Sequence, residues 1–271
     1  MEEVKVIREE IEQQYIKEIF KDVFKYAPSK FCGMLGNAII VPIYTSLLTT
    51  AEYGLYSLSI ALLSFLCILF SDWVGLSGLR FFRQNQLTDN IPKYLTTLVI
   101  MLSCNLFLMI LISTVFRHQF YDFFHIPMKY FISILLLIIP VAIRALLFQL
   151  LRAQLKSIAF TFSTILNQIM TIGLSIFFVK VYHLGALSLL LGMAISITIT
   201  DFILIFQSDI LKYFKMQKIE WKFVLPIIKY GIPIAATSLS AWIINQSNKF
   251  IMNSISGFDD VGIVGVAYGL T

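Results

Sequence analysis

Apolar and polar positions along this chain come in blocks, with seven stretches of about membrane length separated by short polar connections. Four of them, 31–49, 94–116, 157–179 and 230–248, carry no charge. The other three hold one charge each: 55–79 around Asp72, 130–151 around Arg144 and 184–208 around Asp201. A bilayer core of roughly 30 Å needs about 20 apolar helical residues, so each stretch predicts a membrane-spanning helix. Before the first lies a polar leader in which Val4, Ile7, Ile11, Tyr15, Ile19 and Val23 recur at three- and four-residue steps. That spacing predicts an amphipathic helix over about 1–27, lying flat at the inner membrane surface or packed under the bundle. Its mixed charges and acidic start exclude a basic lipid clamp and a signal peptide.

Composition sharpens the picture. With 58% hydrophobic against 14% charged residues and a mean hydropathy of +0.82, the chain lacks the polar surface a soluble domain of this size needs. If the N-terminus is cytoplasmic, the inner connections carry Arg80, Arg83, Lys93, Arg152, Lys156, Lys212, Lys215, Lys218, Lys222 and Lys229. The outer ones carry only Arg117, Lys129, Lys180 and Lys249. Positive side chains collect on the cytoplasmic side, so this orientation is expected, in a cell membrane. The net charge of +5 then follows from the anionic inner leaflet, and no nucleic-acid partner is called for.

The chemistry-bearing residues give no catalytic centre. Cys32, Cys67 and Cys104 lie within apolar runs at no metal-like spacing, and His118, His125 and His183 fall singly in outer connections. No nucleophile elbow, P-loop, HExxH or dinucleotide fingerprint occurs. No enzyme activity, metal or cofactor is expected.

An internal repeat is visible. Lys25-Tyr26 with Pro28 opens the first span and Lys229-Tyr230 with Pro233 the seventh. The first ends in Thr49-Thr50-Ala51-Glu52-Tyr53-Gly54, and the seventh is followed by Ser256-Gly257-Phe258-Asp259-Asp260-Val261-Gly262. Both turns fit a helix start in which Thr49 or Ser256 caps free N–H groups and an acid three residues on reaches back. The repeating unit is six helices, a common transporter plan with the substrate site between two halves. The expected fold is therefore all-α and integral to the membrane. It comprises a six-helix lobe (28–208), a basic cytoplasmic connection (209–229) and the first one or two helices of a second lobe (230–271). The run from Val261 is about 16 Å of helix at 1.5 Å per residue, so the chain is expected to be the front part of a longer protein.

Pro42-Ile43-Tyr44-Thr45, Glu52-Tyr53-Gly54-Leu55-Tyr56, Asp72-Trp73-Val74-Gly75-Leu76, Arg80-Phe81 and Leu151-Arg152-Ala153 resemble, in order and position, the Wzx-type polysaccharide and oligosaccharide flippases. These belong to the multidrug/oligosaccharidyl-lipid/polysaccharide (MOP) exporter superfamily. The resemblance runs from about Tyr26 to the end. It implies a two-lobed bundle around a central cavity that moves a lipid-pyrophosphate-linked glycan from the inner to the outer leaflet, for O-antigen, capsule or related surface polysaccharides. The implied partners are membrane lipid, the lipid-linked glycan and other polysaccharide-assembly proteins.

The charges inside the spans are readable without the family. Asp72, Arg144 and Asp201 each lie eight residues before a later charge, Arg80, Arg152 and Asp209. That puts all three about 12 Å from the cytosolic helix ends. Charges in lipid face the bundle interior, each with a partner, so Arg144 is expected to pair with Asp72, Asp201 or both. Two readings stay open: an ion pair holding spans in register, or a guanidinium that clamps pyrophosphate oxygens while an acid releases it or takes up a coupling cation. Arg80 and Arg83 stand at the inner mouth, where they either receive an anionic head group or anchor the orientation. Asn167, Gln168, Asn245 and Gln246 are placed to hydrogen-bond either sugar hydroxyls or neighbouring helices. Ser188, Gly192, Ser196 and Thr200 form a small-residue packing stripe, as Gly33, Gly36 and Asn37 do on the first span. Pro42 and Pro140 kink their spans, statically or as hinges.

Against the flippase stand a drug or cation antiporter of the same superfamily, a membrane glycan polymerase or ligase, and an inactive truncated lobe. The antiporter would usually carry an acid in the first span, which has none. The enzyme would carry a large outer loop, whereas the longest outer connection here, 117–129, is 13 residues.

Overall fold

A computed structural model describes residues 34, 36, 38–208, 210–213 and 220–269. The leader expected over 1–27, the start of the first span and residues 209 and 214–219 of the basic connection lie outside the described residues. Ala38–Leu47 forms α1. Thr50–Cys67 (α2) passes through a π turn at Ile68–Asp72 into Trp73–Leu87 (α3). There follow α4 (Ile91–Val115), α5 (Arg117–Phe124), α6 (Met128–Ala153), α7 (Ser157–Tyr182), α8 (Ala186–Gln207), α9 (Ile210–Tyr213), α10 (Trp221–Ser256) and α11 (Phe258–Gly269). Among the described residues every element is helical, and six helices are long and apolar enough to cross a membrane: the α2–α3 run, α4, α6, α7, α8 and α10. Phe107 of α4, Leu136 of α6 and Phe202 of α8 are 64–70% exposed, as side chains facing lipid would be.

The helix ends follow from local chemistry. Thr49 starts α2 with a complete capping box: its N–H donates to Glu52 Oε2 at 2.9 Å, and its hydroxyl accepts from the Glu52 N–H at 3.3 Å. The expected second box at Ser256 does not form, because Ser256 is still helical and the chain turns at Gly257, φ +86°. Asp259 and Asp260 keep acid in the first turn of α11, where the helix dipole favours it. His125 and His183 adopt left-handed backbone (φ 52° and 51°) and end α5 and α7, so these two histidines are helix stops. The connection expected over 117–129 contains α5, whose Phe120 and Phe124 stack at 5.8 Å. α10 begins at Trp221, nine residues ahead of the expected span at Tyr230. Its 36 residues make about 54 Å of helix, more than a bilayer core requires, so hydropathy marked only its apolar middle.

Packing is governed by small residues. Ser188, Gly192, Ser196 and Thr200 are all buried, and the middle of the stripe faces α7: a Cβ at Gly192 would run into Ser175, and Ser196 meets Thr171 at 2.5 Å and Asn167 at 3.2 Å. Gly54 of α2 and Gly262 of α11 let those two helices touch backbone to backbone. Gly231 of α10 accommodates the Trp73 ring. Two polar clasps hold α10: Trp242 Nε1 donates to the Ala61 carbonyl and the Ser64 hydroxyl, both at 3.0 Å, and Ser77 Oγ donates to the Ile227 carbonyl at 3.2 Å. The Tyr94 hydroxyl donates to the Ser77 carbonyl at 2.7 Å, fixing α4 on α3. The apolar interior divides into two main clusters. One joins Val74, Leu98, Ala142, Leu146 and Leu204; the other joins Leu62, Met109, Ile134, Ile138 and Ile197.

Candidate functional site

Arg144 lies where the two clusters meet. α6 carries it between Ile138 and Ala142 on one side and Leu146 on the other, and it is only 9% exposed. Its Nε donates to Asp201 Oδ1 at 2.9 Å, and Nη2 donates to the Ile197 carbonyl at 3.0 Å and to the Thr200 hydroxyl. The guanidinium carbon stands 5.7 Å from the centre of the Phe148 ring. Asp201 is 4% exposed, and its second carboxylate oxygen is buried without a partner. Desolvating two charges offsets most of their attraction, whereas removing one partner leaves a costly buried charge. The pair therefore fixes how α6 sits against α8 more than it adds net stability.

Of the two partners expected for Arg144, the structure joins it to Asp201. Asp72 ends the π turn and accepts from Ser71 Oγ at 3.3 Å, and it makes no ion pair among the described residues. Gly75 lies against Ala145, so Asp72, three residues earlier, is within about one turn of the level of Arg144.

Arg80 and Arg83 are exposed and unpaired among the described residues. A cavity of about 400 Å³ opens beside Arg83, lined also by Gln86, Gln154 and Lys156. Gln154 leaves both its amide nitrogen and its oxygen buried without partners, and Lys156 Nζ donates to the Gln207 carbonyl at 3.0 Å. The four intramembrane amides divide. Asn167 accepts from Ser196 between α7 and α8, and Gln168 lies over Gly36. Asn245 donates to its own helix at the Ala241 carbonyl, 2.9 Å away, and Gln246 Oε1 has no partner.

Two sites escaped sequence reasoning. Glu220 bridges Lys93 at 2.5 Å and Lys222 at 2.6 Å, tying the start of α4 to that of α10. Lys249, read from the sequence as an outer-connection residue, is inside α10 and 9% exposed. The spacing Asn245, Lys249, Asn253 marks one helix face and was the signal available for it.

Long apolar helices with lipid-facing surfaces, packed through small-residue stripes around a buried guanidinium–carboxylate pair, define a multi-pass membrane protein. A family model described as polysaccharide biosynthesis protein matches residues 19–271. The chain belongs to that family, the polysaccharide flippases of the MOP exporter superfamily, and family and fold together make it a membrane transporter. No curated protein and no solved structure gave a significant match.

Proposed function

We propose that the chain acts in moving a lipid-linked oligosaccharide from the inner to the outer leaflet for cell-surface polysaccharide assembly. The observation that carries this reading, beyond family membership, is the cavity in which the Arg83 guanidinium, unpaired among the described residues, stands beside the Gln154 amide, likewise without a partner among them. A guanidinium binds pyrophosphate oxygens through two parallel hydrogen bonds, and an amide with both ends open can supply a donor and an acceptor to the adjoining sugar. Arg80 adds positive potential at the same mouth. Arg144 and Asp201 serve as the latch between α6 and α8. With Nε and Nη2 engaged, only Nη1 is left for a passing pyrophosphate, so a two-donor grip requires the guanidinium to leave Asp201 and couples head-group arrival to helix rearrangement.

The test is flipping of a fluorescent lipid-pyrophosphate oligosaccharide in proteoliposomes. Arg83→Ala is expected to cut the initial rate about tenfold, the loss of one charge-assisted contact, with Arg83→Lys intermediate. Full activity of Arg83→Ala at equal protein level would remove the inner-mouth assignment. Full activity of Arg144→Lys would remove Arg144 from the head group's path.

A further inference from the structure

A second polar cavity lies in the C-terminal half of α10. It measures about 530 Å³ and is lined by Tyr53 and Tyr56 of α2, Asn245, Gln246 and Lys249 of α10, and Tyr268 of α11. Lys249 is about seven residues, or roughly 10 Å, short of the end of α10. Its ammonium stands 5.9 Å from the centre of the Tyr268 ring and has no carboxylate or hydrogen-bond acceptor among the described residues. A lysine nine-tenths buried in a membrane helix and lacking a counter-ion is expensive, and such residues mark ligand paths. Gln246 Oε1 is likewise buried without a partner. Snorkelling to the interface is the usual relief for lysine near a helix end, but this side chain points beneath Tyr268 into the cavity.

We infer that this cavity is a binding site for an acidic sugar residue. The three kinds of lining group match three parts of such a ligand: the Lys249 ammonium its carboxylate, the Asn245 and Gln246 amides its ring hydroxyls, and the tyrosine rings its C–H faces. A bare anion would use only the lysine, and a neutral sugar would leave it unneutralised. The assignment rests on the glycan-transport reading for the origin of the sugar, but not for its chemistry, and it makes uronate-bearing glycans the preferred cargo.

Saturation-transfer NMR on the protein in zwitterionic nanodiscs, with D-glucuronate, D-glucose and inorganic phosphate as probes, separates the alternatives without any transport step. Glucuronate is expected to give a saturable signal that Lys249→Gln abolishes, Lys249→Arg restores and Gln246→Ala weakens, with glucose about tenfold weaker for want of the charge contact. No saturable glucuronate signal, an undiminished one in Lys249→Gln, equal signals from glucose, or equal competition by phosphate would each overturn the assignment. The binding readout involves no transport step, so failure of the inner-mouth reading registers separately, in the flipping assay.

Discussion

Gly54 and Gly262 face one another across α2 and α11 so closely that a Cβ on Gly54 would meet the Phe258 carbonyl, and one on Gly262 the Thr50 carbonyl. In the sequence each glycine comes shortly after one of the two turns matched as the expected internal repeat, and in the structure these two segments meet.

Gly54→Ala and Gly262→Ala should each destabilise the protein by about 1–3 kcal/mol, the usual cost of overpacking where backbone has to shift. Gly173→Ala is the control: a Cβ there meets nothing within 4 Å, and replacing a mid-helix glycine by alanine is worth roughly 0.5–1 kcal/mol of added stability. Thermal unfolding in detergent should rank the variants with Gly173→Ala at or above the parent and the other two below it.

Arg144→Gln strands the Asp201 carboxylate between two apolar clusters, and a loss of about 3–5 kcal/mol is expected. Adding Asp201→Asn should recover much of it, since no buried charge then remains. A double-mutant cycle on unfolding free energy checks this, and simple additivity would contradict the latch.

Thr49→Ala removes the side-chain half of the capping box and should cost about 1 kcal/mol. Ser256→Ala should cost far less, because Ser256 caps nothing among the described residues. Comparing the two by thermal unfolding tests whether the repeated sequence has repeated chemistry.

Glu220 is held below the ordinary carboxylate range, by the Lys222 hydrogen bond first and then by Lys93. A carboxylate with a depressed folded pKa contributes stability that is fully present above its unfolded pKa and lost as pH falls through the folded one. The α4–α10 tie should therefore weaken only in acid, below the usual glutamate range. Glu220→Gln should lower stability slightly at neutral pH and flatten the acid limb of a stability profile. Because the site is open to solvent, raising salt should shrink the difference.

The spans were legible because lipid demands long uncharged runs, and the α6–α8 pair because a lone charge in such a run requires a partner. Which acid Arg144 would take was not legible. It depends on the π turn that ends at Asp72 and on the Thr200 hydroxyl and Ile197 carbonyl flanking Asp201, none of which hydropathy registers. Lys249 was misplaced for a related reason: an apolar-run criterion ends a span at its first charge, whereas α10 continues to Ser256 because Lys249 opens onto a polar cavity. The capping box at Thr49 could be read residue by residue. Its apparent copy at Ser256 could not, since Gly257 moved the break one position along.

The π turn at Ile68–Asp72 holds one residue more than regular α-helix would need over the same rise, which amounts to a phase offset stored in the middle of a 38-residue rod. That offset turns the residues after it by about 100° from where an unbroken α-helix would put them, among them Ser77, which meets Tyr94 and Ile227. Ser71 and Asp72 close that offset, so their bearing in the bundle is set by the π turn and not by the α-helical register that begins at Thr50.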